Sequence, residues 1–191
     1  GSSFKPFVMA AALEQNPPIG LGATYDGSSP RTIAGQTVSN SEGVSCGKCS
    51  LKTAMTQSIN TVFYELAVDV GPDQVAKAAH KAGIPEDLLA RPTAGIALGD
   101  KEVHPTDMAS AFATFAAEGV YHEPHMITRV ENSEGRVLYD GGTDPGEQRI
   151  DPQVARNVTE SMIDVARSSR IALPDGRPAA GKTGTVQSRV A

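Results

Sequence analysis

Three short runs in this chain carry side chains able to do nucleophilic chemistry. Ser2-Ser3-Phe4-Lys5 sets a hydroxyl and an amine three residues apart, which on a helix places both on one face about one turn apart. A serine hydroxyl is a poor nucleophile until a base within hydrogen-bond reach takes its proton. A lysine can be that base only if its pKa falls towards neutrality, as burial and a second nearby cation would make it do. Lys182, in Lys182-Thr183-Gly184-Thr185, is the candidate second cation, and Ser58-Ile59-Asn60 adds a hydroxyl and an amide between the two. Ser2 would open its helix, where free backbone N–H groups and the dipole favour developing negative charge. Taken singly, each run reads equally well as a helix cap, a solvated lysine or an exposed strand end. The three together, in this order, point to acyl transfer through Ser2.

One rival uses the same lysine. Gly176 to Thr183 fits the phosphate-loop pattern G-x-x-x-x-G-K-[ST], which needs a strand before it and a helix after it. The following Gly184-Thr185-Val186 prefers extended structure, so a nucleotide-binding protein is the remote alternative. Cys46 and Cys49 leave several readings open. A zinc half-site would need a second ligand pair, and none is present. A thioredoxin-like redox pair should open a helix after a strand, whereas this pair lies in a Gly/Ser-rich stretch. A structural staple in an oxidising compartment, or two idle thiols, complete the possibilities. No metal and no cofactor are expected.

The 191 residues suit one domain, and 39% apolar with 20% charged residues is ordinary for a globular chain. A net charge of −5 without a basic, aromatic-laced stripe argues against nucleic acid. No apolar run approaches the ~18 residues of a membrane span, and no signal peptide is visible.

These side chains must be held by an α+β framework. Phe4 to Gln15 is helical in composition and is stopped by Asn16-Pro17-Pro18. Residues 19–50 read as a long loop layer with a few short strands. Leu51 to Gln57 reads as a short helix, and Asn60 as the N-cap of another, Thr61 to Val70. Further helices are expected over Gln74 to Ala82, stopped by Gly83, and over Thr106 to Glu118, stopped by Gly119. Met126 to Glu131 and Arg136 to Tyr139 flank Asn132-Ser133-Glu134-Gly135 as a hairpin. Asp151-Pro152 opens a last helix with Val154, Val158, Met162 and Val165 at helical spacing. Beyond Gly176 the chain reads as extended towards Thr185-Val186.

The S-x-x-K, S-x-N and K-T-G-T runs, in this order, resemble the penicillin-binding protein and serine β-lactamase superfamily. The resemblance covers essentially the whole chain. It implies an antiparallel sheet packed with helices plus an all-helical lobe. It also implies a serine D,D-transpeptidase that joins peptidoglycan stem peptides ending in D-alanyl-D-alanine and is acylated by β-lactam antibiotics. Ser2 would then be the nucleophile, Lys5 its base, and Ser58 a proton relay between Lys5, Lys182 and the leaving group. The Asn60 amide would bind the substrate backbone, and Lys182, Thr183 and Thr185 the terminal carboxylate. The backbone N–H groups of Ser2 and Thr185 would form the oxyanion hole, with Gly184 permitting close approach.

Ile59 stands where a class A β-lactamase carries aspartate. Glu86-Asp87-Leu88-Leu89-Ala90 is the nearest match to the deacylating E-x-x-L-N and has Ala90 for asparagine. Pro6-Phe7 after the lysine resembles bifunctional class A penicillin-binding proteins, and the Cys46–Cys49 loop resembles actinobacterial members. A D,D-carboxypeptidase, a β-lactamase or a β-lactam sensor of the same superfamily remain as alternatives. Residues 1–191 would be a transpeptidase fragment without the family's glycosyltransferase domain and membrane anchor. In the full-length protein it would be tethered at the extracytoplasmic face of the bacterial membrane. The first helix, apolar on nearly every side, and the K-T-G strand, left as a raw edge, both lead us to expect missing strands and a helix from another segment of the same protein.

Overall fold

A computed structural model of the chain describes residues 1–142, 144–170, 173 and 175–185. A 3-10 turn over Ser2–Phe4 runs into helix α1, Lys5–Leu13, with Pro6 in its first turn. Proline is tolerated there because the first-turn N–H groups have no intrahelical acceptor. Every residue of α1 is buried. Its cover comes from later parts of this chain: α3 (Asn60–Val70), α4 (Pro72–Ala82), α6 (Pro152–Ser168) and a 3-10 segment, Ala94–Leu98, all pack on it. This corrects the expectation that α1 needs a cover from elsewhere. The chain's later helices close over the earliest one, an outcome that apolar periodicity does not reveal. Phe4 and Phe7 also cluster with Phe112 and Phe115 of a later helix, Pro105–Ala116, with ring centroids 5.0–6.5 Å apart, a spacing that favours edge-on and tilted pairs.

The loop layer is stitched by short antiparallel pairs. Strand β1 (Thr24–Asp26) pairs with β4 (Lys48–Ser50), and β2 (Arg31–Ile33) with β3 (Gln36–Val38). Cys46 and Cys49 are joined as a disulfide, so the staple is the reading that holds. Helix α2, Leu51–Thr56, follows directly, capped by the Ser50 hydroxyl, which accepts from Thr53 N–H. Helix α4 begins two residues earlier than expected because Pro72 occupies its first position. It stops at Gly83, whose φ of +123° a side chain would not adopt without strain. Helix α5 spans Pro105–Ala116, β5 (Val120–Tyr121) pairs with β8 (Glu147–Gln148), and β6 (Arg129–Glu131) pairs with β7 (Val137–Asp140) as the expected hairpin. Asp151 caps α6 by accepting from the N–H groups of Gln153 and Val154. The outcome is α+β, with all strand pairs among the described residues antiparallel and two-stranded.

One further expectation is corrected. Asn60 is not a cap: Ile59 holds that position, and Asn60 is already helical. Residues 177–185 pair with no strand among the described residues, which agrees with a K-T-G segment left as a raw edge, and Val186 lies outside the described residues. Thr61 adds a fold-level prediction. It is fully buried, and its hydroxyl has no hydrogen-bond partner among the described residues. A buried hydroxyl without a partner costs roughly 1–3 kcal/mol. Thr61→Val should therefore raise the thermal midpoint by a few degrees; a lower midpoint would show that the hydroxyl is satisfied in solution.

Candidate active site

Helix α1 and the turn between α2 and α3 build one side of the site. Ser2 and Lys5, three residues apart, meet as expected: Lys5 Nζ lies 3.0 Å from Ser2 Oγ. Lys5 is fully buried, with Phe63 as one wall, and donors and acceptors converge on it. Its Nζ is 2.7 Å from the Ser58 carbonyl, 3.0 Å from Ser58 Oγ and 2.8 Å from Asn60 Oδ1. Ser58 reaches it from a left-handed backbone, φ +56°. That conformation is costly for a residue with a side chain and recurs at functional positions.

Lys182 arrives from the far end of the chain. The Gly181 N–H donates to the Met162 carbonyl of α6, and Lys182 Nζ donates to Ser58 Oγ over 2.8 Å. Burial pushes Lys5 down to about 6, and the Lys182 charge pushes in the same direction. Burial alone lowers Lys182 to about 8. Near pH 7 the site therefore holds one neutral amine and one ammonium.

That charge state decides where the protons lie. The Ser58 carbonyl and Asn60 Oδ1 can only accept. A neutral Lys5 has two N–H bonds, which these two acceptors consume. Its lone pair is left for a hydroxyl proton, and Ser2 Oγ is within reach. Asn60 is itself oriented by the Ser39 carbonyl, which accepts from Asn60 Nδ2 over 3.0 Å. A carbonyl cannot face an amide oxygen, so Oδ1 must face Lys5.

Thr183, Gly184 and Thr185 line a cleft of about 910 Å³ together with Ser2, Ser58 and Asn60. A side chain at Gly184 would come within 3.2 Å of the Ser3 backbone nitrogen, so glycine is what lets this segment lie against the start of α1. All the motif residues are thus brought to one place. Lys182 turns to Ser58, whereas a phosphate loop would aim that lysine at a phosphate site. Glu86 lies off the cleft, exposed beside His80 and Pro92.

Sequence reasoning missed two contributors. Gly99, at φ +70°, lies so close to Gly1 that a side chain there would clash with its backbone. Asn40 is buried, and its Oδ1 accepts from the Thr61 N–H at the start of α3. The available signal was Ile59: a helix opened by a residue that cannot cap must be capped from elsewhere.

A profile of the penicillin binding protein transpeptidase domain matches residues 1–190. The chain belongs to the penicillin-binding protein transpeptidase family. Penicillin-binding protein 1A of Mycolicibacterium smegmatis is 46% identical to it, over 98% of this chain and 26% of that protein. The chain thus spans about a quarter of that curated relative. The solved structure of the penicillin-binding protein PonA1 from Mycobacterium tuberculosis superposes with a TM-score of 0.89 at 44% identity, over 98% of this chain and 53% of the other. The structure of PonA1 in complex with penicillin V gives 0.88 at 45% identity, over 98% and 52%. The match spans the S-x-x-K, S-x-N and K-T-G runs described above.

Proposed function

We propose that this chain is the transpeptidase segment of a longer polypeptide that cross-links peptidoglycan stem peptides through an acyl-serine intermediate. The observation that carries the reading is the buried Lys5, whose Nζ lies 3.0 Å from the Ser2 hydroxyl and whose pKa burial lowers to about 6, with Lys182 on the other side of Ser58. Family membership and the penicillin V complex of the PonA1 relative support it.

In the first half-reaction Ser2 Oγ attacks the carbonyl of the penultimate D-alanine while Lys5 takes the hydroxyl proton. The peptide bond breaks, and the departing D-alanine nitrogen receives a proton through Ser58, which touches both lysines. In the second, an acceptor amine attacks the ester, its proton passes to Lys5, and Ser2 regains its hydroxyl as the new amide forms. Lys182, Thr183 and Thr185 would hold the donor carboxylate. The Asn60 Nδ2 proton not given to Ser39 would be left for the substrate backbone. The N–H groups of Ser2 and Thr185 would receive the oxyanion. A β-lactam enters the same path but leaves an ester that no departing group vacates.

Among the described residues no helix is long and apolar enough to cross a membrane. In this reading the longer polypeptide would be tethered at the extracytoplasmic face of the membrane, where its peptidoglycan substrate would lie. The test is partition of the acyl-enzyme. Full-length polypeptide given a D-alanyl-D-alanine donor should form amide product when a D-amino acid acceptor is supplied. Its penicilloyl ester should persist for many minutes. Rapid turnover of penicillin would make it a β-lactamase, and hydrolysis that ignores the acceptor would make it a carboxypeptidase.

A further inference from the structure

The cleft is also lined by Asn40, Ser41, Glu42 and Val44, a segment to which neither the three motifs nor the family likeness gives a role. Asn40 is 7% exposed and its side chain is fully engaged. Nδ2 donates to the Gly27 carbonyl over 3.0 Å and to the Val44 carbonyl over 2.8 Å, and Oδ1 accepts from the Thr61 N–H over 3.0 Å. Its own N–H donates to Ser29 Oγ. One side chain therefore ties two points of the loop layer, Gly27 and Val44, to the first turn of α3. Gly27 is held in turn by the disulfide loop: its N–H donates to the Gly47 carbonyl, and Cys46 Sγ packs where a side chain would otherwise stand.

We propose that Asn40 is a positioning residue for acylation: it holds the Ser39 carbonyl against Asn60 and so keeps Asn60 Oδ1 on Lys5. The inference rests on the acyl-serine reading and adds a residue to it. If residue 39 drifts, the Asn60 amide can rotate, and Lys5 loses one of its two acceptor-only partners. An N–H of the neutral amine then turns to a serine hydroxyl, and the lone pair no longer has Ser2 as its assigned donor. The contact with Thr61 alone would make Asn40 a cap. The two donor bonds across the loop are what place Ser39, and they distinguish positioning from capping.

A double-mutant cycle on the acylation rate with benzylpenicillin, in the full-length polypeptide, tests this. Asn40→Ala should slow acylation by about 10- to 100-fold, the scale of a small misplacement of a catalytic group. In an Asn60→Ala background the same change should cost less than about 3-fold, because its route of action is already gone. Effects that simply multiply in the double variant would overturn the proposal. Asn40→Asp keeps the shape and the acceptor for Thr61 but loses both donors, and it runs the same cycle if the alanine variant does not fold. It should slow acylation as Asn40→Ala does, so acylation at the parental rate would also overturn the proposal. A parent protein that forms no ester at Ser2 would instead sink the acyl-serine reading, and this inference with it.

Discussion

Benzylpenicillin should add its whole mass to Ser2 as an ester, and Ser2→Ala should lose that adduct outright, with acylation down by at least about 10⁴-fold. The size of the effect follows from the nucleophile being irreplaceable. Ser58 Oγ is the neighbouring hydroxyl that could substitute, and it already accepts from Lys182 while lying beside Lys5. Ser58→Ala should therefore slow acylation and leave the adduct on Ser2. Intact-mass measurement followed by peptide mapping reads both results. An adduct that survives Ser2→Ala, or maps to Ser58, would remove Ser2 from the chemistry.

The second large effect is on the lysines and on pH. In the proposed reaction Lys5 serves as an amine, so the acylation rate should climb as pH rises through about 6, where Lys5 sheds its proton. Lys182 would serve as a cation, so the rate should fall again above about 8. The profile is a bell whose limbs belong to two different lysines. Lys5→Ala should cost about 10²- to 10⁴-fold, the usual worth of a placed general base. Lys182→Arg keeps the charge but not its compact shape. It should weaken acylation and also abolish the alkaline limb, since arginine does not titrate there. Stopped-flow acylation from pH 5 to 10 measures all of this. A rate indifferent to pH near 6, or a Lys5→Ala protein that acylates like its parent, would reassign the base.

The meeting of Ser2 with Lys5 was legible in the sequence because it is local: they are one turn apart, and the structure brings Lys5 Nζ to 3.0 Å from Ser2 Oγ. Lys182 was legible through what it must do to Lys5, and the structure places both against Ser58. Asn60 misled: its type suits a cap, and only the packing shows that its oxygen belongs to Lys5 and its nitrogen to Ser39. Asn40 was invisible because its hydrogen bonds reach Gly27 and Thr61, partners distant in sequence, from a stretch with no periodicity. The burial of α1 was misjudged for a related reason. A helix apolar all round announces that it will be covered but not by what, and here the cover is α3, α4 and α6. The K-T-G segment was expected as an unpaired edge, and its described part, up to Thr185, has no ladder partner among the described residues. Its place is fixed by Gly181 on Met162 and by Gly184 on the start of α1.

The two sides of the cleft are made of different material. Ser2 and Lys5 stand at the head of a helix with no exposed face, so any change of shape there is felt by three other helices at once. The other linings, Asn40 to Val44 and Thr183 to Thr185, lie outside the α-helices and are tied to the rest by hydrogen bonds such as those of Asn40 to Gly27 and Thr61 and of Gly181 to Met162. A substitution at the head of the helix is therefore resisted by packing, whereas one in the loops is opposed only by the hydrogen bonds it breaks.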